Sequence, residues 1–549
     1  ANSVWIGSYC GISVVSGQDN VAIGYLTGDS ITAGGYNVLM GTNAGTSLVT
    51  ANSNTCIGYG AGRYLTGSNS VAIGAGALDA CVGGVGNVAV GSNALGVATG
   101  ANNVAIGMSA AHSSSSGASN VTIGTLAVNA AMTGSGNVAI GYKAAYAMLG
   151  ADSNVMIGRE ACLGLTTGGK NVAIGQDAGR GITDSDENVY IGNLAGTVGN
   201  SGSNVGIGSQ CLEAGAHGGG NVAIGMQAGE ALTGENNVII GKEAGRNATS
   251  ADQNVFIGRN AASGTTVTGD DNVFIGDSAG FDLTSGAFNV GIGRNALANT
   301  NTGQWNTAVG YGALTTLRDS GQYCTALGFD AGKGVTIGTF NTILGWRSGE
   351  TVTDGAANVF VGAYCGTGIT GSNNVCIGKD SGTQAGFISV GSGSNYVVLG
   401  NDTTTNLYCK DSSIATSDSR DKADQTNFSG GLAWVNAMQP ITYKWDSRRS
   451  YCVAAAESED DKHDITAADI LAVTPDGTHK QDSLHLGLTA QAVLAIEQAN
   501  GYASNNDTSL IVDLNPDETA YGLKYERLVP VLISAIKELS AKVEALENA

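Results

Sequence analysis

From residue 4 to residue 378 the chain repeats one pattern: a β-branched residue, a variable uncharged residue, an aliphatic residue and a glycine. It is plainest at Asn171-Val172-Ala173-Ile174-Gly175. The closing glycine occurs 23 times from Gly7 to Gly378, over 371 residues and 22 intervals, giving a period close to 17. A short fixed period marks a stack of like units, each unable to bury its apolar face alone. The residue three before the glycine is Val in 19 copies and Thr in four (Thr55, Thr307, Thr325, Thr342), and Ile, Val, Leu or Met stands just before the glycine. β-Branched and aliphatic residues two apart predict a three-residue strand with both on one face. On hydropathy that face is expected to fill the core.

The residue between them points the other way. It is Trp5, Ala22, Leu39, Cys56, Met156, Tyr190, Phe256, Phe274 or Phe360, and in all 23 copies it carries no charge. A wet strand face tolerates Lys, Glu or Asp. Both faces are therefore expected to be covered, one by the chain's own coil and the other by a second copy of the chain.

Two further positions are restricted. Asn opens 20 of the 23 strands, which predicts a ladder of mutual amide hydrogen bonds along the stack. Three residues past the glycine stands Ala in 17 copies and Cys, Thr or Ser in the others, as close backbone approach requires. The two residues between are free to be Lys143, Arg159, Glu160, Asp177, Lys242 or Glu243, so that corner is wet. Gly/Ser/Thr-rich stretches turn the chain back. At about 4.8 Å per coil the stack extends on the order of 100 Å.

Composition narrows the reading. In 549 residues there are 85 glycines, 6% aromatic and 13% charged residues, and the four prolines (Pro440, Pro475, Pro516, Pro530) all lie beyond residue 400. Proline cannot donate to a ladder, so its absence earlier fits a continuous sheet. The net charge of −21 leaves no basic stripe for nucleic acid. No apolar run approaches membrane-spanning length. The first strand begins at Val4 without a cap, so further residues are expected upstream. The ten cysteines occupy unrelated repeat positions and read as small buried hydrophobes rather than disulfides or metal ligands. The five histidines form no constellation, and strings such as Gly58-Tyr59-Gly60-Ala61-Gly62 lack the Lys-Ser/Thr and helix of a phosphate loop. No metal or cofactor is expected.

The string Asn69-Ser70-Val71-Ala72-Ile73-Gly74 resembles the head repeats of trimeric autotransporter adhesins, a trimeric left-handed β-roll, although the period here is longer. Similar repeats occur in phage and large-virus fibres.

Beyond Tyr396-Val397-Val398-Leu399-Gly400-Asn401 the repeat fades and charge becomes denser. In order come Thr416-Ser417-Asp418-Ser419-Arg420-Asp421-Lys422, then Gly431-Leu432 through Pro440-Ile441-Thr442-Tyr443-Lys444-Trp445-Asp446, Gly487-Leu488-Thr489-Ala490-Gln491-Ala492-Val493, and Tyr525-Glu526-Arg527-Leu528-Val529-Pro530. Together they resemble the peptidase S74 family, the C-terminal intramolecular chaperone of phage tail fibres and tailspikes. Gln425 and Ala492 depart from it, standing where the family usually has an apolar residue and a Glu. The resemblance implies self-cleavage at Thr416–Ser417, with Ser417 as nucleophile and Lys422 as its base. A serine is activated this way only if the lysine is neutral, so burial or a second cation such as Arg420 must lower its pKa. Spacing alone allows the plainer reading that both lie on a solvated linker.

The last segment carries Val529, Leu532, Ile536, Leu539, Val543 and Leu546 at alternating steps of three and four, a coiled-coil seam. β-Branched residues alternating with Leu favour two strands by rule; the family resemblance implies three. Packing of the helix on its own domain is the alternative. The acidic stretch with Glu457, Glu459, Asp460, Asp461 and Asp464 reads as a solvated loop.

The expected architecture is an all-β shaft over 1–400, a homotrimeric parallel β-solenoid or β-roll. A neck with the cleavage site follows over 401–416, then a small α+β chaperone domain over 417–549 ending in a coiled-coil helix over 525–547. The expected function is a viral tail fibre, folded in the host cytoplasm and carried on the virion. Its partners would be two further copies of itself, a glycan or protein receptor on the host, and upstream residues or a baseplate or capsid protein. No activity on an external substrate is expected. A bacterial trimeric surface adhesin, or an extracellular fibre with a retained chaperone domain, is the alternative. A carbohydrate-cleaving tailspike lacks paired carboxylates among the repeats, and a membrane-bound transcription factor lacks its DNA-binding and membrane-spanning parts.

Overall fold

A computed structural model describes the chain except residues 1, 319–320, 384–389, 402, 405–424, 429, 456–466, 504–508 and 515–520. The chain divides into two compact units, Ala1–Asn306 and Thr307–Ala549. Both contain parallel β-solenoid, some 22 turns of roughly 17 residues in all. The solenoid strands number 24, each of three residues, from β1 (Val4–Ile6) to β24 (Val397–Leu399). Eighteen, ending at Val290–Ile292, lie in the first unit and six, beginning at Thr307–Val309, in the second. Consecutive strands within each unit pair in parallel without slippage: Val155, Met156 and Ile157 face Val172, Ala173 and Ile174.

The strand faces are the reverse of the expectation. In every strand after the first it is the middle residue that is buried, while its β-branched and aliphatic neighbours are half-buried or exposed. Phe256, Phe274 and Phe360 are fully buried within their own chain. The reason lies in parity. Asn171, Ala173 and Gly175 alternate onto one side of the strand, and that side carries the closely packed elements of the coil. A coil of about 17 residues encloses a narrow interior, so small residues and occasional rings fill it, and the Val/Ile pair is left outside.

Large interior residues of successive turns stack on one another or are met by glycine. Phe256 and Phe274 stack with centroids 6.1 Å apart. Where the next turn must accommodate the Phe274 ring its middle residue is Gly291; a Cβ there would lie 2.6 Å from Phe274 Cδ1. Gly206 stands in the same relation to Tyr190, 2.9 Å from the ring. The small residue three past the glycine is buried too, as at Ala44, Ala178 and Ala244.

The predicted amide ladder is present. Asn154 Oδ1 accepts the Asn171 backbone N–H at 2.8 Å. Asn171 Oδ1 in turn accepts the N–H of Asn188 at 2.9 Å and its Nδ2–H at 3.1 Å. Asn171 Nδ2 donates to the Ser185 carbonyl at 2.9 Å. Every polar atom of this fully buried amide is thereby paired, as burial demands. Ser70 keeps the ladder going, its N–H donating to Asn54 Oδ1 at 2.9 Å and its Oγ accepting from Asn87 N–H at 3.3 Å. Acidic residues at the opposite corner also serve the stack: Asp186 Oδ1 accepts from Gly169 N–H at 2.6 Å and Asp252 Oδ1 from Glu235 N–H at 2.7 Å.

The closing glycine is obligatory at Gly175. Its φ of +138° is open to glycine alone, and a Cβ would stand 2.3 Å from the Gly192 carbonyl oxygen.

Past the strands of the second unit, the described residues form five α-helices and two short antiparallel pairs. The helices are α1 (Gly431–Ala437), α2 (Arg448–Ala455), α3 (Ala467–Ala472), α4 (Ala490–Ala499) and α5 (Leu528–Glu547). β25 (Ile441–Tyr443) pairs with β26 (His485–Gly487), and β27 (Val512–Leu514) with β28 (Tyr521–Leu523). Trp434, Val493, Ile511, Val512 and Val531 make the core.

Candidate self-association surfaces

α5 divides into two faces. Val531 and Ala535 are buried against α1, where a Cβ on Gly431 would meet Ala535 N at 2.3 Å, so the two helices touch backbone to backbone. Glu538 Oε2 accepts the Leu432 N–H at 3.1 Å, satisfying one of the orphan donors at the start of α1. Ser534 Oγ donates to the Phe428 carbonyl at 3.3 Å. An adjoining face carries the predicted seam. Val529, Leu532, Ile536, Leu539, Val543 and Leu546 are all exposed, from 46% at Val543 to 78% at Leu546. The helix therefore packs on its own domain with a face other than the seam. An apolar groove lined by Val435, Met438, Leu486, Tyr525, Leu528 and Leu532 continues from it.

The solenoid presents a second apolar surface. Val4, Ile6, Val38, Met40, Ile73, Ile106, Ile292, Leu327, Ile377, Val397 and Leu399 are among its exposed residues, and most of the other outer residues are half-buried. In all 24 strands neither outer position is ever charged. The residue before the opening Asn and the residue after the closing Gly flank this stripe. Ion pairs link successive turns near the second flank, as between Arg259 and Asp277 at 2.6 Å and between Arg180 and Glu160 at 3.7 Å. The Arg259 partner holds the Asp277 carboxyl below the usual carboxylate range.

The interior holds little that is reactive. The nine described cysteines are free. Burial pushes the Cys56, Cys162 and Cys211 thiols up to about 12, so they are neutral fillers rather than nucleophiles. The hydrogen bond between Cys365 and Cys376, together with burial, raises the Cys365 thiol as well. Among the described residues no group of His, Cys, Asp and Glu is placed to hold a metal ion, and no helix is long and apolar enough to cross a membrane.

A buried polar pair inside the shaft was not foreseen. Tyr190 Oη and His217 Nε2 lie 2.6 Å apart, and His217 Nδ1 lies 3.1 Å from the Gly215 carbonyl. The carbonyl can only accept, so Nδ1 carries the proton and Nε2 accepts from the tyrosine. Burial lowers the His217 pKa to about 4. Only the oversized Tyr190 among mostly small middle residues hinted at it. In the tail, Glu497 is fully buried and receives Ser509 Oγ–H at 3.0 Å and the Ile511 N–H. It ties α4 to the start of β27.

Thr416, Ser417, Arg420 and Lys422 lie outside the described residues, as do Glu457, Glu459, Asp460, Asp461 and Asp464. Gln425, Pro440 to Asp446, Gly487 to Val493 and the start of α5 are described. Of these segments, β25 and β26 pair directly and the Tyr525 hydroxyl accepts the Leu488 N–H at 3.0 Å, so three of the four motif segments meet in one fold. No protein-family model matches the chain, and no curated protein matches it.

Proposed function

We propose that this chain is a homotrimeric fibre of a virus, used in host attachment, whose C-terminal region assembles and then releases the shaft. The observation that carries the reading is the exposed seam of α5, apolar over its whole length while the helix's other face is committed to its own domain. Exposed apolar surface of this regularity marks a contact with another chain. Parallel stacking of a repetitive shaft is slow and leaves edges open to aggregation. Three tails joined first through α5 bring three shafts into proximity before they pair wrongly. Cleavage at Thr416–Ser417 by Ser417, with Lys422 as base, then removes the folding aid and leaves the fibre kinetically trapped in its assembled state.

Expression of the wild-type chain beside Ser417→Ala tests the cleavage. The wild type should yield a fragment ending at Thr416 and a tail beginning at Ser417, and the variant a single full-length band. Identical gel mobility of the two refutes self-processing.

A further inference from the structure

We infer that three consecutive turns of the second unit form a binding site for an extended, neutral chain of pyranose sugars, held by aromatic rings at both borders of the strand face and by threonine hydroxyls between them. The inference rests on the attachment reading above and names the ligand class and its place. Self-association is left to the strand face of the first unit and to the seam of α5.

The sequence changes in two ways at once in these turns. Along the 17 strands from Val4–Ile6 to Val273–Ile275, the residues two before and two after each strand include four aromatics, Tyr25, Tyr36, Tyr59 and Tyr142. The three strands Thr307–Val309, Thr325–Leu327 and Thr342–Leu344 have five such border rings within the second unit alone: Tyr311, Tyr323, Phe329, Phe340 and Trp346. Phe288 and Trp305 precede them on the first border in sequence. The same three strands begin with Thr, which replaces the usual Val in only one other repeat, at Thr55. More rings alone would suit any apolar partner. Rings coupled with a change from Val to Thr select a ligand that is apolar on its faces and polar at its rim, which describes a pyranose.

The side chains are set for such a ligand. Tyr323 and Phe340 have ring centroids 4.8 Å apart and planes within 5°. Tyr311 and Phe329 are 5.1 Å apart within 9°. Parallel rings touch with their atoms about 3.5–4 Å apart, so rings in contact at these centroid distances are slipped like shingles, each with part of a face uncovered. All five rings are 42–59% exposed. Trp346 stands edge-on to the buried Tyr364 at 4.6 Å, and the Tyr364 hydroxyl accepts from Arg347 at 3.3 Å, which fixes the platform before a ligand arrives. The hydroxyls of Thr307, Thr325 and Thr342 have no hydrogen-bond partner among the described residues. Loop threonines such as Thr166, Thr233 and Thr284, by contrast, donate to carbonyls of the next turn. The turn spacing of about 4.8 Å is close to the length of one pyranose in an extended chain, so successive sugars meet successive turns.

Charge selects a neutral chain. Neither the borders nor the outer strand positions of these turns carry a charge. Lys333 and Arg347 are ion-paired with Asp330 and Glu350 at 3.1 and 2.7 Å, and the net charge of −21 repels anions.

The test is calorimetric titration of the full-length chain with cellohexaose and with chitohexaose, both neutral and extended, beside a hyaluronan hexasaccharide as the acidic counterpart. The wild type should bind at least one neutral probe, and the acidic one more weakly or not at all. Phe340→Ala with Trp346→Ala should weaken binding about tenfold or more. Thr325→Val with Thr342→Val restores the residue usual in the repeat, so the fold is kept, and should weaken binding about three- to tenfold. Tyr142→Ala removes an exposed border ring outside the site and should change nothing. No binding of either neutral probe overturns the inference and leaves the face to a protein partner. Tighter binding of the acidic probe, unchanged affinity in the ring and threonine variants, or an equal loss in Tyr142→Ala overturns it as well. Light scattering separates this inference from the fibre reading: a three-chain mass without sugar binding overturns the sugar site alone, and a one-chain mass with binding overturns the trimer alone.

Discussion

At the scale of the residue, the coil is held by a few positions with little freedom. Gly291 shows the steric margin. An added methyl 2.6 Å from the Phe274 ring must displace it inside a filled interior, at about 1–3 kcal/mol. Gly291→Ala should raise amide hydrogen exchange in Val273–Ile275 and Val290–Ile292, and Phe274→Leu in the same chain should reverse most of that rise. No change in exchange at those strands would contradict the large-against-small packing. Exchange is the suitable readout because long repeat arrays do not unfold as one unit.

His217 supplies a pH dependence at the same scale. Its folded pKa of about 4 lies below the ordinary value near 6.5 because burial disfavours the charged ring. The unfolded chain therefore binds the proton more readily. The contribution is whole above about pH 6.5, shrinks as pH falls through that value, and is lost by about pH 4, amounting to at most ~3 kcal/mol. Thermal stability should drop further between pH 7 and pH 5 in the wild type than in His217→Gln. Parallel curves for the two would mean that the ring is protonated in place.

At the scale of the element, the strand and its period were legible in the sequence, because a β-branched residue, an aliphatic and a glycine at fixed spacing leave little choice. Which side faced inward was not. Hydropathy ranks Val172 and Ile174 above Ala173 and points the wrong way. The better signal was that Asn171 and Gly175 share parity with Ala173, and that this middle column is mostly small. The seam of α5 was legible in full, since spacing of three and four needs no knowledge of the partner. Glu538 and Gly431, which fix the other face of the helix, were not, because their meaning depends on α1 lying across it. The candidate cleavage pair could be named only through its resemblance to a family, and Ser417 and Lys422 fall outside the described residues.

The two faces of α5 predict opposite behaviour for similar substitutions. Leu532→Asp with Ile536→Asp places charge on exposed positions, so the domain should keep its helical circular dichroism while the chains fail to associate. Ala535→Asp puts a carboxylate against the α1 backbone, where an unpaired buried charge costs several kcal/mol, and should unfold the domain itself. If the seam variant loses helicity as well, the seam is part of the domain's own core.

At the scale of the molecule, one geometric habit recurs. The chain satisfies its backbone and amides internally, through ladders and inter-turn caps, yet leaves uncharged apolar surface along the outer columns of every strand and along the last helix. A large apolar surface with such regular borders is costly to leave in water and is suited to burial against an identical neighbour. In the proposed fibre, the net charge of −21 would keep separate assemblies apart once those surfaces are covered.

The most direct measurement is the mass in solution of the wild type beside Val172→Asp with Ile174→Asp, two outer positions of one central turn. Light scattering should give three 54.9 kDa chains for the uncleaved wild type, or three shafts where the tails have been cut away and released, and smaller or partly separated species for the variant with its β signal intact. A wild type that runs as a single chain, with its outer columns in water, would contradict the account.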